Sequence, residues 1–337
     1  MSGRILRRVL QVVGLTAVLS CLSAVGGFAQ TGKAPHAALL QSQGANDAGF
    51  GAAGYMGLQA LKEKGGFETT MVENIPSADS ESAARDFANR GWELIFGHGF
   101  EFQAPFLRIA AEYPKSFFIV NKGSPTPNTP PNVLIIDVKE HEPAYLLGML
   151  AAKLTKTNKI SAIAGFDYGT IIRIMEAYRL GAKSVNPGVE VSINYAGTWT
   201  DPTKGKEIAL AQIGRGVDVI FAHASLTSLG VIEAARERNV LAIGSVIDQN
   251  SVAPKTVVVG SDYDFARMFM SIGDRLKAGS LKGGSVSYGM ADGVLDITPL
   301  HAAAAELPSD VRANVDKVRQ DIKDKKFVVE EIRKKQP

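Results

Sequence analysis

The hydrophobic positions of this chain fall into short runs that alternate with longer amphipathic stretches. HAALLQ (36–41), FFIV (117–120) and LAIG (241–244) are short apolar runs, as buried strands are. Between such runs lie stretches whose apolar positions recur every three or four residues, as in Gly51–Lys64, which is typical of amphipathic helices. This alternation predicts parallel sheets with helices on both faces.

The alternating pattern occurs twice. Residues 34–121 and residues 159–246 each contain about four strand–helix units, and the proline-rich segment 121–132 reads as a surface connection at the edge of the first half. Two α/β lobes of this kind hold ligands in a cleft at the carboxyl ends of their strands. The loops expected to line the cleft are 43–50, 97–102, 121–124, 165–172, 197–202, 223–228 and 245–249.

Residues 1–29 predict a secretory signal peptide. Three arginines lie in the first eight residues, an apolar run covers 9–25, and the small residues Gly27 and Ala29 precede a cleavage point. A membrane anchor is disfavoured, because the run is short and interrupted by polar residues. We expect a soluble product exported to the periplasm. The alternative is cleavage before Cys21 and a lipid anchor on that residue.

Composition excludes several classes of function. The net charge of +3 falls to zero without the three leader arginines, which gives no electrostatic case for binding nucleic acid or an anionic membrane. Cys21 is the only cysteine, so the mature chain has no disulfide and no thiol nucleophile. The five histidines show no metal-ligand spacing, and no serine lies in a nucleophile elbow. We therefore expect no metal, no cofactor and no catalysis.

One motif suggests a competing function. Gly49–Gly54 spells G-x-G-x-x-G, and Glu73 follows at about the distance of a ribose-binding acid, as in a dinucleotide-binding turn. In such a turn the first glycine follows the strand directly, whereas here the strand ends near Gln41 and a polar loop intervenes. An exported dinucleotide-dependent oxidoreductase is therefore the less favoured hypothesis.

The same stretch contains groups suited to a flat ligand. Asn46, Asp47 and Phe50 lie together in a predicted cleft loop, where an aromatic ring could stack on a planar ligand while polar groups bind its edge. We expect Phe50→Ala to weaken binding roughly ten- to a hundredfold with little change in the melting temperature of the unliganded protein.

Several segments resemble the basic membrane protein family of substrate-binding proteins, which includes purine nucleoside receptors. The resemblance covers nearly all of residues 36–300, and its segments are NDAGF (46–50), ELIFGHGFEFQ (93–103), AEYPKSFFIVN (111–121), KEHEPAYLLGMLAAKLTKTNKISAIAG (139–165), IIRIMEAYRLGAK (171–183), GTWTDPTKGKEIALAQIGRGVDVIF (197–221), LGVIEAAR (229–236) and LKGGSVSYGMADG (281–293).

The resemblance implies an α/β type I periplasmic binding protein with two doubly wound parallel-sheet lobes joined by hinge strands. It implies a receptor that closes over a purine-like nucleobase or nucleoside and delivers it to the permease and ATPase of an ABC importer. The implied domains are 33–138 plus 262–290 for the N-terminal lobe and 139–261 plus 291–330 for the C-terminal lobe. A sugar or another heterocycle is the alternative ligand.

The departures from the family pattern concern charge. Asn121 stands where the family has an aspartate that reads the base, and Val246 and Ser261 stand where the family has an acid and a lysine that hold the sugar. These differences favour a nucleobase over an intact nucleoside. The expected partners are the small-molecule ligand and the transporter, with no nucleic acid and no membrane contact except through the transporter or a lipid on Cys21. The candidate ligand-binding residues are Asn46, Asp47, Phe50, His98, Phe100, Asn121, Arg173, Trp199, His223, Ser225, Ser245 and Asp248.

Overall fold

A computed structural model describes residues 33–336, and the predicted signal peptide lies outside the described residues. The first of its two sheets has six parallel strands in the order β11-β5-β4-β3-β1-β2. Their bounds are β1 His36–Gln41, β2 Glu68–Val72, β3 Leu94–His98, β4 Phe117–Asn121, β5 Val133–Val138 and β11 Gly284–Tyr288.

The second sheet also has six strands, in the order β12-β10-β9-β8-β6-β7. Its strands pair in parallel except for β12, which runs antiparallel to β10. Their bounds are β6 Lys159–Ala164, β7 Glu190–Tyr195, β8 Val219–His223, β9 Leu241–Gly244, β10 Val257–Tyr263 and β12 Leu295–Ile297.

Ten α-helices of the described chain cover these sheets. They are α1 Phe50–Glu63, α2 Ser80–Asn89, α3 Gln103–Ile109, α4 His141–Leu154, α5 Gly169–Val185, α6 Pro202–Gly214, α7 Thr227–Glu237, α8 Phe265–Lys277, α9 Ala302–Ala305 and α10 Ser309–Lys323. Helices α1 and α8 pack together on one face of the first sheet, and α2 and α3 lie on the other. Helices α4 and α5 cover one face of the second sheet, and α6 and α7 cover the other. We call the first sheet with its four helices the first lobe, and the remainder the second lobe.

The α4–α5 pair depends on small residues. A side chain at Gly148 would lie 1.9 Å from the carbonyl oxygen of Tyr178, so the two helix backbones approach as closely as they do only because residue 148 is glycine. This contact fixes α4, the first helix of the second lobe, against α5, which follows β6.

The chain passes between the two sheets three times, after β5, after β10 and after β11. Each lobe is therefore built from separate segments of the chain. The predicted lobe boundaries at 138/139, 261/262 and 290/291 stay predictions.

The strand–helix alternation predicted from the hydrophobic pattern is confirmed. Strands β1 and β9 begin and end where the runs 36–41 and 241–244 do, and the α/β architecture with two largely parallel sheets is the predicted one.

Candidate functional site

A cavity of about 340 Å³ lies at the carboxyl ends of the strands, between the two lobes. Its wall comes from segments after β1, β2, β3 and β4 in the first lobe and after β6, β7, β8 and β9 in the second. Parallel sheets bind ligands at this edge because their strand-end loops converge there. Its volume is at the lower end of the range of about 300–1,000 Å³ that is common for small-molecule sites.

The two lobes touch each other at the rim of the cavity. The Gln249 side-chain amide donates a hydrogen bond to the Ala48 carbonyl across the gap (2.7 Å). The rings of Phe100 and Tyr168, one from each lobe, lie 4.7 Å apart between centroids. The two lobes are therefore in contact beside the cavity.

The second lobe supplies most of the aromatic surface. Phe166 and Tyr168 stack with centroids 5.3 Å apart and planes at 17°, and the Trp199 ring lies 5.6 Å from Phe166. All three border the cavity. Trp199 and Phe100 were predicted site residues, whereas Phe166 and Tyr168 were not. The signal that could have identified them was two aromatic residues within a predicted cleft loop, 165–172.

Phe50 borders the cavity, although only 8% of the residue is exposed. One face of its ring stacks on the His98 ring at 3.8 Å, and its edge meets Phe265 at 5.8 Å. The Lys122 ammonium nitrogen lies 5.1 Å from the ring centroid. Phe50 is thus a core residue with one part facing the cavity, and it offers less surface than the rings of the second lobe.

Two predicted site residues hold Phe50 from behind. His98 Nε2 donates to the Phe50 carbonyl (2.7 Å), and His98 Nδ1 accepts from the Asn121 side-chain amide (2.7 Å). Burial, assisted by the charge of Lys122, lowers the pKa of His98 to about 3 against the hydrogen bond to Phe50, so the ring is neutral. Neither His98 nor Asn121 lines the cavity.

Asp47 stabilises the start of helix α1. Its carboxylate accepts hydrogen bonds from the backbone N–H groups of Gly49 (2.8 Å), Gly51 (2.9 Å) and Ala52 (3.0 Å). Neither Asp47, which is buried, nor Asn46, which is exposed, lines the cavity. Because Asp47 already occupies three amides of this turn, fewer are left for a pyrophosphate group, which counts against the dinucleotide hypothesis.

Two further predicted residues lie away from the cavity. Arg173 is 1% exposed and forms ion pairs with Asp137 (2.9 Å) and Glu331 (3.0 Å), at the point where the chain leaves the first lobe. Asp248 is exposed and pairs with His301 at 2.9 Å. Both side chains therefore have partners within the protein, Arg173 in ion pairs and Asp248 in a hydrogen bond with His301.

His223, Ser225 and Ser245 do line the cavity. His223 is 4% exposed, and its Nδ1 atom has no hydrogen-bond partner. Burial, assisted by the charge of Lys122, lowers the pKa of His223 to about 3, so the neutral ring offers one donor and one acceptor. His223 is the last residue of β8, and Ser225 and Ser245 lie in the loops after β8 and β9, within the predicted cleft segments 223–228 and 245–249.

Sequence reasoning missed two charged residues of the cavity, Glu101 and Lys122. The Lys122 ammonium pairs with the fully buried Glu140 (2.8 Å). Glu101 accepts a hydrogen bond from the Ser42 hydroxyl. Burial raises the pKa of the Glu101 carboxyl, although the Ser42 hydrogen bond and the charge of Lys122 oppose that shift. Both residues lie in predicted cleft loops, but nothing in the sequence around them indicates that their side chains face the cavity.

The two positions with altered sugar-binding residues carry no charge. Val246 borders the cavity, and its backbone N–H donates to the Ser261 hydroxyl (2.9 Å), which is itself buried.

Within residues 33–336 there is no group of three or more potential metal-binding side chains. None of the helices in that range combines the length and apolar character that a membrane crossing needs.

Residues 34–336 match the family described as Bmp, ABC transporter substrate-binding protein PnrA-like. The chain belongs to the Bmp family. The Bmp chain is 31% identical over 317 residues to the ABC transporter nucleoside-binding protein BmpA of Lactococcus lactis, covering 87% of this chain and 88% of that protein. It is 28% identical over 270 residues to a purine-binding protein of Brucella abortus, with 79% of this chain and 73% of that protein covered.

A solved structure supports the fold of this Bmp protein. An ABC transporter solute-binding protein from Aeropyrum pernix superposes with a TM-score of 0.79 at 23% identity, covering 88% of this chain and 94% of that one. The Bmp protein therefore has the type I periplasmic binding protein fold, as the sequence resemblance implied. It is a substrate-binding protein of the ABC transporter class.

Proposed function

We propose that this Bmp-family protein binds a purine-like nucleobase or nucleoside in the cavity between its lobes and delivers it to the permease of an ABC importer. The observation that carries the proposal is the aromatic wall of Phe166, Tyr168 and Trp199, facing Phe50 and polar groups of both lobes. Aromatic faces suit planar heterocycles, which stack on them at about 1–3 kcal/mol per ring. The names of the nucleoside-binding and purine-binding relatives favour the same ligand class.

The proposal assigns direct ligand contact to the predicted residues that border the cavity. These are Phe50, Phe100, Trp199, His223, Ser225 and Ser245. Direct contact by the other predicted residues stays a prediction, and their observed partners give them supporting roles. Asp47, His98 and Asn121 hold helix α1 and Phe50, and Arg173 holds the crossing between the lobes.

The proposed cycle couples binding to closure. A ligand that contacts both lobes stabilises the arrangement in which they touch, because only there does it gain both sets of contacts. The transporter would then recognise that arrangement. Export to the periplasm through residues 1–29, or lipid attachment at Cys21, is part of the same proposal.

Calorimetry with matched base and nucleoside pairs tests the ligand. We expect adenine, hypoxanthine and guanine to bind more tightly than adenosine, inosine and guanosine, because Val246 and Ser261 provide no charge for ribose hydroxyls. Glucose and ribose serve as controls and should not bind. Tighter binding of all three nucleosides would contradict the preference for bases, and binding of a sugar alone would contradict the purine proposal.

Gly165→Ala tests the role of the Trp199 ring without removing it. A side chain at residue 165 would lie 2.2 Å from the Trp199 ring, so the ring must move out of its place in the cavity wall. We expect base affinity to fall about tenfold, the size of one lost stacking contact. Gly197 is unsuitable as a control. A side chain added there would meet nothing within 4 Å, but its φ of +74° disfavours any residue other than glycine. Gly214→Ala is suitable, because its added methyl group meets nothing within 4 Å. An unchanged dissociation constant in Gly165→Ala would show that Trp199 does not contact the ligand.

A further inference from the structure

The cavity contains polar groups that have no complete set of partners within the protein. The Gln43 side-chain oxygen and His223 Nδ1 are buried without a hydrogen bond, and both residues line the cavity. Buried polar atoms of folded proteins are nearly always hydrogen-bonded, so isolated ones in a cavity wall indicate where a ligand binds. Glu101 adds a carboxylate to the same wall.

The Glu101 carboxylate is held in a defined place. The Ser42 hydroxyl donates to Oε1, and both carboxylate oxygens lie so close to Gly99 that a side chain there would approach them to 2.3 and 2.5 Å. Gly99 has φ +143°, a conformation that disfavours other residues. The Ser42 bond uses only part of the capacity of a carboxylate, which accepts hydrogen bonds at both oxygens.

Glu101 differs from the other residues of the cavity wall in its charge. Lys122 also lies in the wall, but its ammonium group forms an ion pair with Glu140 at 2.8 Å. Among residues 33–336, Glu101 itself has no ion-pair partner. A desolvated carboxylate without a counter-ion favours a ligand that presents N–H donors or positive charge.

We propose that Glu101 determines which purine binds, by accepting hydrogen bonds from two adjacent N–H groups on one edge of the ring. This inference rests on the proposed function and narrows its ligand to a 2-amino-6-oxopurine such as guanine. The ring N–H and the exocyclic amine of guanine form a donor–donor edge that matches a carboxylate. Adenine offers a ring acceptor beside its amine, and its lone pair would face the carboxylate. Hypoxanthine has only one of the two donors.

Equilibrium dialysis with labelled guanine, hypoxanthine and adenine at pH 8 tests the proposal. We expect the wild-type protein to bind guanine most tightly and adenine most weakly. Glu101→Gln should lower guanine affinity at least about tenfold, as loss of a hydrogen bond to a charged group does. Adenine affinity should stay the same or rise. Glu101→Asp, which keeps the charge, should recover part of the guanine affinity.

A matched control separates a local effect from a general one. Glu63→Gln removes an exposed carboxylate at the end of α1 in the same lobe and should behave as wild type. Equal wild-type affinities for the three bases, an equal loss for all three in Glu101→Gln, or the same loss in Glu63→Gln would overturn the assignment while leaving purine binding intact. Failure of the wild-type protein to bind any of the three bases would overturn this inference, and failure to bind their nucleosides as well would overturn the proposed function.

The pH dependence of guanine binding gives a second readout. Protonation of Glu101 removes one acceptor, so affinity should fall as the pH is lowered from 8 to 4.5. Because burial raises the Glu101 pKa above its ordinary value, the fall should begin at a higher pH than it would for an exposed glutamate. His98 and His223, with pKa values of about 3, stay neutral over this range, and Lys122 and Glu140 are the other charged groups of this region. The Glu101→Gln variant should lose this dependence. An equal pH dependence in both proteins would contradict the proposal.

Discussion

Phe50→Ala is expected to lower both the stability of the unliganded protein and its affinity for the ligand. Only 8% of the residue is exposed, and its ring stacks on His98 and meets Phe265 edge to face. Removal of the ring therefore leaves a cavity in the first lobe. Truncation of a buried phenylalanine costs about 3–5 kcal/mol of the free energy of unfolding. Affinity should fall roughly ten- to a hundredfold, because the cavity wall loses one ring and the start of helix α1 loosens.

Urea unfolding and calorimetry measure the two effects separately. Phe50→Leu keeps most of the buried volume and should recover much of the stability but not the affinity. Tyr55→Ala, a partly exposed position on the same helix, is the matched control and should change neither quantity much. A stable Phe50→Leu protein with wild-type affinity would show that the aromatic ring makes no ligand contact. This expectation differs from the one drawn from sequence, which placed the ring in a cleft loop and predicted little change in the melting temperature of the unliganded protein.

Arg173→Ala is expected to destabilise the protein by about 3–5 kcal/mol, as removal of one partner of a buried ion pair does. The guanidinium is 1% exposed and pairs with Asp137, whose side chain is 9% exposed, and it also donates to the Val138 carbonyl (2.9 Å). Without it, Asp137 is left as a nearly buried charge at the crossing between the lobes. Urea unfolding at pH 7 measures the loss.

The exposed ion pair between Arg85 and Glu112 provides the comparison. Its side chains are 33% and 54% exposed, so Arg85→Ala should cost at most about 1 kcal/mol. Glu331→Gln should cost less than Arg173→Ala, because Arg173 keeps Asp137 as its partner. A loss of 1 kcal/mol or less in Arg173→Ala would mean that water reaches Asp137 and that the buried ion pair does not stabilise the crossing.

The sequence predicted the fold well because central strands such as β1 and β9 are buried on both faces. The runs HAALLQ and LAIG are largely apolar, so their ends are marked by polar or glycine residues. The converging loops follow from parallel pairing alone, and the cavity lies among them. Position along the chain was therefore enough to locate the cavity.

The direction of each loop side chain could not be read from position. Asp47 turns back onto the amides of its own helix, and Arg173 reaches Glu331, which is 158 residues further along the chain. These directions depend on partners brought together only by the tertiary fold. Phe166 and Glu101 were missed for the same reason, because neither an aromatic nor an acid in a loop indicates by itself that it faces a cavity.

The pairing of β11 with β5 affects how the chain can fold during synthesis. β5 carries the buried residues Leu134, Ile135 and Ile136, and its outer neighbour, Gly284–Tyr288, comes only after strands β6 to β10 of the second lobe. Until that segment leaves the ribosome, the first sheet ends in an unpaired, apolar edge strand of the kind that promotes aggregation. The first lobe can therefore complete its sheet only after most of the second lobe has been synthesised, and its apolar edge stays open to other chains until then.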